Sequence, residues 1–316
     1  MWCVIYGHTI NVLLCGAPHP PVWLHTFVRT FDMPFFMVLS GYFLKKSLEK
    51  REWWVVFANR ITMIFVPIAV WTLLTCHVSY TMYYFLWAVL ISSLICIAGN
   101  RMLAWAPKRP REPLELLLYI CVAVLLHVVK VPWNLFYLFP FFVFGYYMRD
   151  VKFELSRRAL CVMGCVFVVL LCFWKPSYTP WNMGALAWKD SPAAMLIYGY
   201  RFLLGIVGVC VMAKAFDMAR IFLSDDSFLV RMLTRFGRET LALYILQSIA
   251  IERIVRVGCD VMYRHSGIVL TQSAVKLVGY AIAPVVSFLA MLGLAFATEK
   301  IKNAGGLKYM FGFKLQ

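Results

Sequence analysis

His8 stands in "YGHTINVLL", an imidazole carried by an otherwise apolar run. Inside a bilayer such a group is costly unless it meets a partner or a water-filled cavity. Its proton affinity also suits it to take a proton from a hydroxyl near neutral pH, so by position it is either a hydrogen-bonded structural histidine or a general base. Arg29 and Asp32 pose the same choice. They lie three residues apart on one helical turn and can neutralise each other, as a structural ion pair or as part of a site. In "FDMPFFMVLSGYF", Pro34 removes a backbone donor and can kink a helix, while Ser40-Gly41 lets a neighbouring helix or a ligand approach the backbone closely. Such a helix makes a cavity wall. Arg60 sits a turn or two inside an apolar segment, where it either snorkels to the interface or uses its guanidinium fork on phosphates. Lys45, Lys46, Lys50 and Arg51 would reinforce a basic mouth there, although each also satisfies ordinary loop charge. Arg201, in "YGYRFLLG", lies deep enough in its segment that it should face the bundle interior, lining a channel or held in a structural pair.

Several ionisable residues have simpler readings. Glu239 opens an apolar segment, where a carboxylate favours the helix dipole. Glu252 has Arg253 beside it and Arg256 four residues on, so local pairing accounts for it. His19, His25, His77, His127 and His265 fall near segment ends and read as interfacial; His25 is also a candidate for lining an outer entrance. The ten cysteines form no CxxC pair and no Cys/His cluster at zinc spacing, so they read as packing residues, and no metal or cofactor is expected.

The elements that must position these groups follow from composition. Of 316 residues 62% are hydrophobic and 15% charged, with a mean hydropathy of +0.76, more apolar surface than a soluble globule can hide. An all-α, polytopic membrane bundle is expected, with about ten spans at 1–17, 23–44, 55–76, 80–98, 114–130, 134–148, 158–174, 193–213, 239–257 and 270–298. The net charge of +16 then belongs to loops and lipid headgroups, with no nucleic-acid partner implied. Alternate loops and the C-terminal tail carry 21 Lys/Arg against 6 in the intervening loops. That asymmetry puts both termini in the cytoplasm. The chain reads as one domain, with no linker and no low-complexity tract. Only seven residues precede His8, about 10 Å of helix, so the first span is expected to be cut short at its start.

"YGHTINVLL", then "FDMPFFMVLSGYFLKKS", then "NRITMIFVPIAVW" resemble, in order and spacing, the start of the membrane-bound acyltransferase-3 family of bacterial O-acyltransferases. "YYFLWAVLISSL", "LFYLFPFFVFGYYMRD" and "FGRETLALYILQSI" extend the resemblance more weakly. Three departures stand out. The family's basic residue eleven positions before the histidine would fall upstream of Met1; of a paired Arg motif only Arg60 remains, with Phe57 at the partner position; and the late His is Gln247. The resemblance implies transfer of an acyl group, acetyl above all, from cytoplasmic acyl-CoA to a hydroxyl of an envelope polysaccharide or lipid-linked glycan, in the bacterial inner membrane. It implies His8 as the catalytic residue and Arg60, with Lys45 and Lys46, as donor-binding groups. It does not extend to Asp32, where a typical member carries His. A polytopic transporter or flippase is the rival reading, against which stands the lack of any internal repeat.

Overall fold

The computed structural model describes residues 1–14, 22–74, 83–105, 107–129, 135–150, 156–175, 178, 192–222, 224, 227–266, 271–303 and 310–311. Among these there is helix and no strand. In chain order the helices are α1 (Trp2–Leu13), α2 (Trp23–Lys50), α3 (Trp53–Leu74), α4 (Tyr84–Met102), α5 (Lys108–Val128), α6 (Leu135–Met148), α7 (Arg157–Cys172), α8 (Pro192–Ile221) and α9 (Phe228–Arg238). Next comes α10, built from Thr240–Ile249 and Arg256–Ser266 around a π-helical turn at Ala250–Val255, and last α11 (Gln272–Lys302). π turns also interrupt α3 at Ile61–Phe65 and α11 at Val278–Ile282.

Four helices among the described residues are long and apolar enough to cross a membrane: Trp53–Leu74, Tyr84–Met102, Met195–Ala219 and Gln272–Lys302. Leu135–Met148 and Arg158–Cys172 are apolar but shorter. These six coincide with expected spans. The 28-residue α2 would reach about 42 Å at 1.5 Å per residue, more than a hydrocarbon core, but its charged last turns lower its average hydropathy below that of a pure span. Many large apolar side chains are exposed along these helices, among them Leu73, Val162, Phe173 and Leu196. In a membrane those faces meet lipid. Helix starts follow the sequence: Ser156, Ser227 and Thr271 each accept a hydrogen bond from a backbone N–H three residues on, at 3.2, 3.3 and 3.2 Å.

The chain divides into two compact units, Met1–Asp32 with Asp217–Gln316, and Met33–Phe216. In the first, α1 packs on α11 and on the π turn and second half of α10. Ile5 and Val12 of α1 meet Phe236, Leu243, Ile251, Met291 and Ala295 in one cluster. On another side Tyr6 and Ile10 meet Val22, Val28, Val275 and Ala283. The Tyr6 hydroxyl donates to the Gly279 carbonyl in the α11 π turn at 3.0 Å. A π turn offsets the i→i−4 register, which frees a carbonyl for such an acceptor role.

The second unit centres on α6, whose Phe139, Phe141, Phe142 and Tyr146 are fully buried. Here the small-residue pair expected of α2 finds its neighbour. A Cβ on Gly41 would stand 2.0 Å from the Phe142 carbonyl oxygen, and one on Gly145 would stand 1.9 Å from that of Val38. The α2 and α6 backbones therefore touch, and only hydrogen fits at either position. Beside them Glu115 is buried with two phenols donating to its Oε1, Tyr119 at 2.8 Å and Tyr146 at 3.3 Å, and Asn100 donating to the Tyr146 hydroxyl at 3.0 Å. Gly41→Ala or Gly145→Ala must push the helices apart, an overpacking cost of about 1–3 kcal/mol. Either variant is expected to unfold at lower temperature in detergent than the wild type and than a Gly164→Ala control, where a Cβ meets open space.

Candidate active site

His8 lies midway along α1, flanked by buried Gly7 and Thr9. Its Nδ1 contacts Glu252 Oε1, from the π turn of α10, across 244 positions of sequence. The other Glu252 oxygen, Oε2, accepts from Arg256 Nη1 at 3.1 Å. A carboxylate can only accept, so Nδ1 carries a proton, and in the neutral imidazole the lone pair then lies on Nε2. Nε2 is buried and meets no hydrogen-bond partner among the described residues. A basic nitrogen aimed into the interior, with its ring fixed from behind by a carboxylate that a guanidinium steadies, is the arrangement of a general base.

Glu252 is the residue that sequence reasoning missed. The expected Arg256 pairing exists, but it occupies one carboxylate oxygen and leaves the other for His8.

Arg29 and Asp32 form their expected pair, Nη1 to Oδ2 at 3.7 Å, with Asp32 almost wholly buried. The same guanidinium reaches His25, donating from Nε to His25 Nε2 at 3.3 Å. It also lies over Gly7, where a Cβ would stand 3.2 Å from Arg29 Cζ. Gly7 thus makes room for a cation beside the residue that precedes His8. His25, half-buried in the first turn of α2, faces this cluster and the Tyr6 ring. Glu239 is buried and engaged by Lys302 and by Arg235, which makes it an ion-pair centre as well as a helix-end charge. Gln247, at the position of the late His, is fully buried; its Nε2 donates to Ser248 Oγ at 3.2 Å.

The remaining predicted residues belong to the second unit. Arg60 is half-buried and immediately precedes the α3 π turn. Lys45 pairs with Asp150 at 3.4 Å and sits 4.6 Å over the Tyr146 ring, so it is already engaged. Lys46 and Ser40 are half-buried on α2. Arg201 is fully buried and faces the bundle interior, with its guanidinium 4.1 Å from the Trp174 ring and 5.9 Å from that of Tyr137. The aromatic faces lower the cost of burying that charge. His19, His77 and most of the 174–192 loop lie outside the described residues.

Residues 1–95 match the family model described as an acyltransferase domain, that of the acyltransferase-3 family. The match covers about a third of the chain. No curated protein and no solved structure matches the chain. The domain holds His8, Arg29, Asp32, Ser40, Lys45, Lys46 and Arg60, and with the membrane-crossing helices it supports a membrane acyltransferase. Glu252 and Arg201 come from beyond it. His8, inside the matched segment, is thus oriented by a residue outside it. Nitrogen-15 spectra of histidine-labelled protein are expected to show His8 protonated at Nδ1 and bare at Nε2. Glu252→Ala should remove that preference, and an unchanged tautomer would contradict the pairing.

Proposed function

We propose that the protein is an O-acetyltransferase of the bacterial inner membrane, moving acetyl from cytoplasmic acetyl-CoA to a hydroxyl of an envelope polysaccharide or lipid-linked glycan. The observation that carries the reading is the bare, buried Nε2 of His8 backed by Glu252, within a segment that matches an acyltransferase domain. His8 Nε2 takes the proton of the acceptor hydroxyl as its oxygen attacks the thioester carbonyl. The C–S bond then breaks, and the CoA thiolate leaves with the proton that His8 returns. Glu252 stabilises the imidazolium formed between these events, and Arg256 holds the other carboxylate oxygen. An acyl-His variant uses the same nitrogen as nucleophile.

In the other unit Arg60 offers a guanidinium fork suited to the donor's phosphates, and Lys46 adds a second cation. The excess of Lys/Arg in alternate loops supports cytoplasmic termini and a cytoplasmic donor. No protein cofactor is required, since acetyl-CoA is a co-substrate.

Purified protein given radiolabelled acetyl-CoA and envelope glycan is expected to transfer the label. His8→Ala should lower the rate by about 10²–10⁴-fold with folded yield preserved, the contribution typical of a positioned base. Arg60→Ala should raise the KM for the donor more than it lowers kcat. Wild-type protein that neither transfers nor hydrolyses the label would favour the transporter reading instead.

A further inference from the structure

The first unit carries a second feature, separate from His8, in the crevice between α9 and the C-terminal part of α11. α9 starts at the Ser227 cap and is anchored by buried Phe236, with Met232 packed against the same cluster. Its first residue, Phe228, remains largely exposed. Between the two helices lies a cavity of about 340 Å³ lined by Phe228, Met232, Phe236, Leu292 and Phe296. That volume falls within the range of ligand pockets, roughly 300–1,000 Å³.

The rim is basic, and its carboxylates are already used. Arg235 donates to Glu299 Oε2 at 2.9 Å and to the Ala295 carbonyl at 3.2 Å, and it lies 3.6 Å from Glu239. Lys302 also pairs with Glu239. Arg231, on the cavity wall, has no ion pair with any described residue. The same holds for Lys300, whose Nζ sits 5.4 Å over the Phe296 ring. On the cavity wall Arg231 and Arg235 stand against Glu299, and Lys300 over the Phe296 ring adds a third cation, three positive charges minus one negative, a net +2. An apolar cavity flanked by two cations that pair with no carboxylate among the described residues, Arg231 and Lys300, complements an anionic amphiphile. A zwitterionic headgroup would set a quaternary amine against Lys300.

We propose that this crevice binds one anionic glycerophospholipid, with an acyl chain among Phe228, Met232, Leu292 and Phe296 and the phosphate at Arg231 and Lys300. Basic amphipathic helices bind at the headgroup boundary in this way, and each Lys or Arg near an anionic surface contributes about fivefold in affinity.

The full chain, exchanged into micelles holding phosphatidylglycerol and phosphatidylcholine in equal amounts, can be read by native mass spectrometry. The wild type is expected to retain a single phosphatidylglycerol in preference to phosphatidylcholine by about 25-fold, from two such cations. Arg231→Gln with Lys300→Gln should bring the preference close to one, while Lys276→Gln, which removes a cation elsewhere on α11, should leave it unchanged. Glycerol phosphate at millimolar concentration should fail to displace the lipid. Equal retention of both lipids, an unchanged preference in the double variant, or displacement by glycerol phosphate would each overturn the proposal. Both substituted side chains are exposed, and thermal unfolding verifies that the double variant is folded.

Discussion

An imidazole inside an apolar helix needs a partner that no neighbouring residue on that helix supplies. His8 finds it in Glu252, and the pairing governs much of the first unit: α1 must lie against the π turn of α10, with α11 packed on both. The carboxylate answers the desolvation of the imidazole, and the imidazole and Arg256 together answer that of the carboxylate. The other ring nitrogen, Nε2, is buried and has no hydrogen-bond partner among the described residues. Its place opposite the Glu252 contact is what suits it to proton transfer.

The second unit solves the membrane problem by other means. Lipid gives helices no hydrophobic reason to associate, so close backbone approach and aromatic packing take that role. The α2–α6 contact at Gly41 and Gly145, the phenyl rings of α6 and the Tyr119–Glu115–Tyr146 hydrogen bonds act together. Arg201 is held in the same spirit, between aromatic faces, away from lipid.

Periodicity and length made the helices legible in the sequence, because runs of some 20 apolar residues have few other fates. α4, α6, α7 and α8 begin within a few residues of where hydropathy places them. The Arg29–Asp32 pair and the close-approach role of Gly41 were equally readable, since one depends on helical spacing and the other on residue size. Glu252 was not. Its local partner Arg256 was a sufficient explanation, and the π turn that places it is a register defect with no sequence signature. A signal did exist: only Asp32, Glu115, Glu239 and Glu252 are carboxylates within the ten expected spans, and a buried histidine had to choose among few partners. The α9–α11 crevice was hidden for a different reason, because loop-type positive charge in the sequence does not say which cations lack a carboxylate partner among the described residues.

The meeting of α2 and α6 sets a boundary on traffic through the second unit. Carbonyl oxygen lies directly on glycine there, with no side chain between the two backbones. A gate ordinarily opens when a rotamer swings aside, and this seam has no rotamer to swing. It is sealed by main chain alone, so any solute threading this bundle must take a course that leaves the Gly41–Gly145 crossing shut.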